Sequence, residues 1–120
     1  MTAEAEDSLD VEVAEHRNAV VVRARGTIDY WTIEPLRSAI ENAMSAPRPS
    51  LVLDAAEVVF VDSTGLALLV AADQWARNRG GAFRLAAPAD QLRRLLTTTN
   101  LERRLAVFDS VAEATASGAQ

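Results

Sequence analysis

The chain is predicted to fold as an α/β domain: a mixed four- to five-stranded sheet packed against about four helices. Three observations predict it. Short apolar runs with strand character (Leu9–Val13, Ala19–Arg25, Ser50–Ala55, Ala82–Ala86) punctuate the chain. Between them lie segments whose apolar residues recur at helical spacing and stop at Pro or Gly. Hydrophobic residues make up 49% of 120 residues, enough to bury one real core. The order β-β-α-β-α-β-α-(β)-α then implies helices laid on a partly parallel sheet by right-handed crossovers.

Each element has its own local cause. Leu9, Val11 and Val13 alternate with acids, as in a half-buried strand. His16-Arg17-Asn18 reads as a turn and Ala19–Arg25 as a second strand ended by Gly26, so the two form a hairpin. Thr32 is the expected N-cap of a first helix, with Pro35 in its first turn. Ile33, Leu36, Ile40 and Ala43 follow at helical spacing beside Met44, until Pro47 and Pro49 stop the helix. Ser50–Ala55 has few polar residues, as a central strand should. A second helix starts near Ser63 or Thr64. It carries two apolar stripes, Gly65/Leu69/Ala72/Ala76 and Leu68/Ala71/Trp75, although one suffices to pack on a sheet. Gly80-Gly81 ends it with a left-handed cap. After the strand Ala82–Ala86, Pro88 opens a third helix through Leu92, Leu95 and Leu96, ending near Asn100. Leu105–Phe108 is expected to be an edge strand, and Asp109 or Ser110 to cap a short last helix. Ala114–Gln120 looks frayed.

Residues 9–115 are expected to form a single domain behind a flexible acidic arm, residues 1–8. Residues 1–16 hold six acids and no base, while the rest holds 11 acids against 12 arginines, so the net charge of −5 belongs largely to the start of the chain. There is no cysteine, which excludes disulfides and thiolate metal sites. No apolar run approaches the ~20 residues of a membrane span. Acids stand where a signal peptide needs bases, so a cytoplasmic protein is expected. Seven arginines fall between Arg77 and Arg104. Without an accompanying nucleic-acid-binding motif they read as the solvated sides of two helices, and no direct contact with nucleic acid is expected.

The chemistry concentrates in Phe60-Val61-Asp62-Ser63-Thr64-Gly65-Leu66, at the start of the second helix. Free backbone N–H groups and the positive dipole end gather there. A hydroxyl that gains or loses a phosphate acts directly on such a helix end. Asp62-Ser63 equally suits plain capping. Asp29 reads as an ordinary turn residue, and Trp31 and Trp75 as core or edge packing. Ser63 has no base to make it a nucleophile: the sole histidine, His16, lies in the hairpin turn, and Lys is absent. Neither a metal-ligand spacing nor a phosphate-cradling Gly-Lys loop occurs. No enzyme, cofactor or metal is expected.

Four features together resemble a STAS domain, most closely the bacterial anti-sigma factor antagonists. Gly26-Thr27-Ile28-Asp29 is similar to the family's Gly-x-[Leu/Ile]-Asp. Leu51–Ala55 followed by residues 60–66 resembles its phosphorylation loop. Gly80-Gly81 and the segment Pro88–Leu101, with Leu95-Leu96, match in place. The resemblance implies that Ser63 accepts a phosphate from an anti-sigma factor that is itself a serine kinase. The unphosphorylated chain would bind that partner and free a sigma factor; phosphorylation would release it, and a serine phosphatase would reset it. Asp29, Asp62, Ser63, Thr64, Gly65 and Leu66 are the implied partner-binding residues, with Thr64 a second, weaker acceptor. Ala67 and Asn100 depart from the family's usual Gly at each position. An alternative within the family is a subunit of an ABC-type lipid-transport complex, docking on its ATPase through the extra apolar stripe without a phosphate cycle. A nucleic-acid binder using residues 77–104 is a third reading.

Overall fold

A computed structural model describes residues 8–118, with side chains to residue 116. The acidic arm over residues 1–8 lies outside the described residues except for Ser8. The strands are β1 (Leu9–His16), β2 (Ala19–Ile28), β3 (Ser50–Val61), β4 (Ala82–Ala86) and β5 (Ala106–Phe108). They form one sheet in the order β1-β2-β3-β4-β5. The β1–β2 hairpin is antiparallel, and β2, β3, β4 and β5 run parallel. The helices are α1 (Glu34–Met44), α2 (Ser63–Asn78), α3 (Asp90–Thr98) and α4 (Val111–Gly118), with a 3₁₀ turn at Leu101–Arg103.

Period-2 alternation sends one set of strand side chains to each face. Val22, Ala24, Leu51, Leu53, Phe83 and Leu85 form the main core with Leu36 and Ile40 of α1, Leu69 and Ala72 of α2, and Leu92 and Leu96 of α3. On the other face Ala114 of α4 packs with Ala19, Val52 and Ala86. The last turns expected to fray are thus partly anchored: Ala114 and Thr115 are buried.

Several boundaries differ from the sequence reading. β2 continues through Gly26 to Ile28, because Gly26 (φ +115°) lets the chain pass close to the Ser8 carbonyl, where a Cβ would collide. β3 runs on from Ala55 to Val61 through two register shifts, in which it carries extra residues against β2. Its buried residues there are Ala55, Val58 and Val61, every third rather than every second. Thr32 does not cap α1, whose N-cap is Ile33 without a side-chain bond; Pro35 does sit in the first turn. Pro88 precedes α3 rather than opening it, and Ala89 is the N-cap.

Other local signals hold. Gly80 (φ +75°) follows α2, with Gly81 N–H donating to Ala76 O (2.8 Å) and Gly80 N–H to Arg77 O (3.0 Å), the paired bonds of a Schellman cap. Asn100 takes the left-handed conformation (φ +66°) in place of glycine. Ser110 Oγ accepts from Glu113 N–H (3.1 Å) at the start of α4.

Candidate functional site

Parallel β2 and β3 end side by side, with Ile28 opposite Val61, so the loops that follow them are neighbours. The first loop ties itself into a turn. Asp29 Oδ1 accepts from Trp31 N–H (2.9 Å) and Thr32 N–H (3.0 Å). Thr32 Oγ1 accepts from Asp29 N–H (3.0 Å) and donates to Thr27 O (2.7 Å). That use of the hydroxyl is why Thr32 is unavailable as a helix cap.

The second loop is Asp62 alone. Its N–H donates to Ile28 O (3.1 Å), holding it to β2. Its backbone is extended, and Oδ1 accepts from Gly65 N–H (2.9 Å), so it is the N-cap of α2. Oδ2 accepts from Tyr30 N–H (3.2 Å), which joins the two loops. Ser63 is then the first residue of α2 and is exposed; Thr64 and Leu66 are half-buried. Gly65 is buried because α2 starts against the strand ends: a Cβ there would sit 2.7 Å from Ile28 Cγ2 and 2.8 Å from Val61 Cγ1. The structure therefore brings Asp29, Asp62, Ser63, Thr64, Gly65 and Leu66 to one end of the sheet.

Two contributors escaped the sequence. β4 ends at Ala86, opposite Asp54, so the backbone of Val61 has no strand beside it on that flank. Gln91 of α3 fills the gap: its Oε1 accepts from Val61 N–H (2.9 Å) and its Nε2 donates to Val61 O (3.1 Å). The other is a set of exposed aromatics. Trp31 is 85% exposed, Tyr30 65% and Phe60 45%. The Tyr30 and Trp31 rings meet edge to face with centroids 4.9 Å apart. Trp31 is thus not a packing residue, whereas Trp75 does pack, half-buried, against the core. An exposed Tyr-Trp pair flanking the motif Asp was the available signal.

Beside Ser63 a cavity of about 470 Å³ runs between α1 and α2, lined by Arg37, Ser63, Thr64, Ala67, Leu68, Ala71 and Trp75. The second apolar stripe of α2 faces this groove, with Leu68 reaching the core. His16 closes the hairpin at the far end of the ten-residue β2, about 30 Å from this site at ~3.3 Å per residue, so it cannot serve Ser63 as a base. The arginines of the 77–104 segment are spread over α2 and its C-cap, β4, α3, and the 3₁₀ turn and its C-cap. Arg77 is held by Asp73 (3.0 Å) and donates to Arg104 O (3.2 Å), and Arg93 pairs with Asp109 (3.5 Å).

A family model described as STAS domain matches residues 10–114. The Anti-sigma-F factor antagonist RsfB of Mycobacterium tuberculosis is 29% identical over 110 residues, covering 92% of this chain and 89% of that one. An Anti-sigma F factor antagonist of Paenibacillus polymyxa is 24% identical over 104 residues, covering 86% and 89%. Among solved structures, an anti-sigma factor antagonist from Mycobacterium paratuberculosis superposes with a TM-score of 0.86 at 28% identity, covering 95% of this chain and 97% of that one.

Proposed function

The chain belongs to the STAS domain family, and from that premise we propose that it is an anti-sigma factor antagonist switched by phosphorylation of Ser63. Unphosphorylated, it binds an anti-sigma factor with serine-kinase activity and frees the sigma factor. Phosphorylated, it lets go, and a serine phosphatase resets it. The phosphoryl transfer belongs to the partner, so ATP is the partner's ligand. Such a cycle runs in the cytoplasm, and residues 9–115 form the one domain that takes part in it.

The observation that carries this reading is the exposed Ser63 as the first residue of α2, beside an Asp62 whose carboxylate is committed to the cap. A phosphate there adds about −1.5 to −2 charges. The helix dipole favours it by up to ~1 kcal/mol, so the domain keeps its fold. A partner seated on Ser63 instead meets a newly buried anion, which costs several kcal/mol unless paired. Each ~1.4 kcal/mol is tenfold in affinity. Asp29, Asp62, Thr64, Gly65 and Leu66 shape and surround the surface that the partner covers.

The named relatives support this reading over the transport-subunit alternative, whose motive was the extra stripe on α2. Leu68 of that stripe is part of the core and Trp75 packs against it. The test is incubation with the cognate kinase and ATP followed by mass spectrometry, with Ser63→Ala and Ser63→Asp forms in parallel pulldowns. Phosphate on Ser63, with binding kept by Ala and lost by Asp, is the expected result. An unmodified Ser63 and equal binding by both forms would overturn the proposal.

A further inference from the structure

The geometry points to Tyr30 and Trp31 as the anchor by which the anti-sigma factor grips this chain, a role separate from the switch at Ser63. This inference rests on the function proposed above and adds to it the surface that supplies affinity. Both rings are exposed at this end of the sheet, and neither is needed to fill the core. The loop that carries Tyr30 and Trp31 is held by Asp29 and Thr32, not by the rings themselves. The rings are therefore presented on a rigid support and free to be covered.

Their position selects the occupant. Tyr30 N–H is bonded to the carboxylate of Asp62, and Asp62 is followed directly by Ser63. A kinase that brings its active site to the Ser63 hydroxyl must cover this loop as well. Trp and Tyr each bury about 150–250 Å² when fully covered, against about 800 Å² per partner in a standard interface, so this pair, 85% and 65% exposed to begin with, can supply roughly a third of the footprint. Trp and Tyr are also the residue types that carry disproportionate affinity in such interfaces. An anionic lipid surface fits poorly, because Asp29 stands in the loop that presents the rings and Asp62 in the loop bonded to it. A second copy would bring the same acids together across a two-fold axis.

The chain has two tryptophans, so a Trp75→Phe form leaves Trp31 as its one indole. Titrating it with each purified kinase-type anti-sigma factor of the source genome should shift the Trp31 emission to the blue as the ring leaves water. If Trp75→Phe does not fold, 5-fluorotryptophan labelling of the native chain reads both indoles by fluorine NMR. In parallel, Trp31→Ala should weaken the Kd about 30-fold or more by calorimetry. The same variant should raise the KM of the kinase for this chain while leaving kcat nearly unchanged. Binding with unmoved Trp31 emission and a Kd within threefold of native would overturn the anchor and leave the proposed function standing. Failure of every such factor to bind would overturn both. A blue shift that appears with chain concentration alone would assign the patch to a second copy and overturn the inference.

Discussion

Replacing Asp62 tests the joint on which the site is built. Its two carboxylate oxygens do different work: Oδ1 caps α2 at Gly65 N–H (2.9 Å), and Oδ2 holds the neighbouring loop at Tyr30 N–H (3.2 Å). Asp62→Ala removes both. Loss of an N-cap costs about 1 kcal/mol. The Tyr30 bond lies in an exposed position, so its charge-assisted value is discounted to about 0.5 kcal/mol. The expected total is about 1.5 kcal/mol. Asp62→Asn keeps one carbonyl oxygen for Gly65 but offers no second acceptor for Tyr30, so it should cost only about 0.5 kcal/mol. Urea unfolding with a common m-value of about 1.5 kcal/mol/M would then show midpoints lowered by about 1 M for Ala and about 0.3 M for Asn. Equal losses for the two variants would refute the division of labour. No loss for either would refute the cap itself.

Three further outcomes follow from the same geometry. Gln91→Ala strands the Val61 N–H and carbonyl that its amide satisfies and should cost about 1–3 kcal/mol in urea unfolding; Gln91→Glu, which keeps the acceptor and loses the donor, should also destabilise. Gly65→Ala gains up to ~1 kcal/mol of helix propensity but forces a methyl against Ile28 and Val61, and overpacking of about 1–3 kcal/mol should leave it net destabilised by calorimetry. Ser63→Asp adds an acid to the first turn of α2, where the dipole favours it by about 0.3–1 kcal/mol, so its melting temperature should match or slightly exceed the native one even as partner binding is lost.

What was legible in the sequence was whatever a short window could encode. Asp62 before the apolar period of α2, Gly80-Gly81 after it, and the alternation of β1 and β2 each signal an element within a few residues, and each element formed. The family motif then pointed to the stretch proposed here as the site. The rest depended on partners distant in the chain. β3 beyond Ala55 lost its period-2 pattern because its register slips twice against β2, burying Val58 and Val61 instead. Thr32 had cap chemistry but spent its hydroxyl on Thr27 O and Asp29 N–H. Gln91 meets Val61 across thirty residues, a pairing with no local mark. Trp31 was misread because large apolar residues are usually packed; its loop lifts it off the sheet instead. Ala114 is too small to announce the back face of the sheet that it covers.

The arrangement also explains why a charge on one hydroxyl can act outward without acting inward. Below Ser63 the backbone is secured three times: Asp62 N–H to Ile28 O, Asp62 Oδ1 to Gly65 N–H, and the Gln91 amide to Val61. None of these bonds uses the Ser63 side chain. A phosphate therefore finds a helix end that is already capped and strand ends that are already paired, and it has little leverage on the fold. Its charge and bulk fall almost entirely on whatever covers the exposed surface. If the aromatic rings beside it supply much of the affinity, the partner can bind tightly before modification, because the rings and the hydroxyl are separate features of one rigid platform. The same separation predicts that altering the rings changes how strongly the partner binds, while altering Ser63 changes whether phosphorylation can expel it.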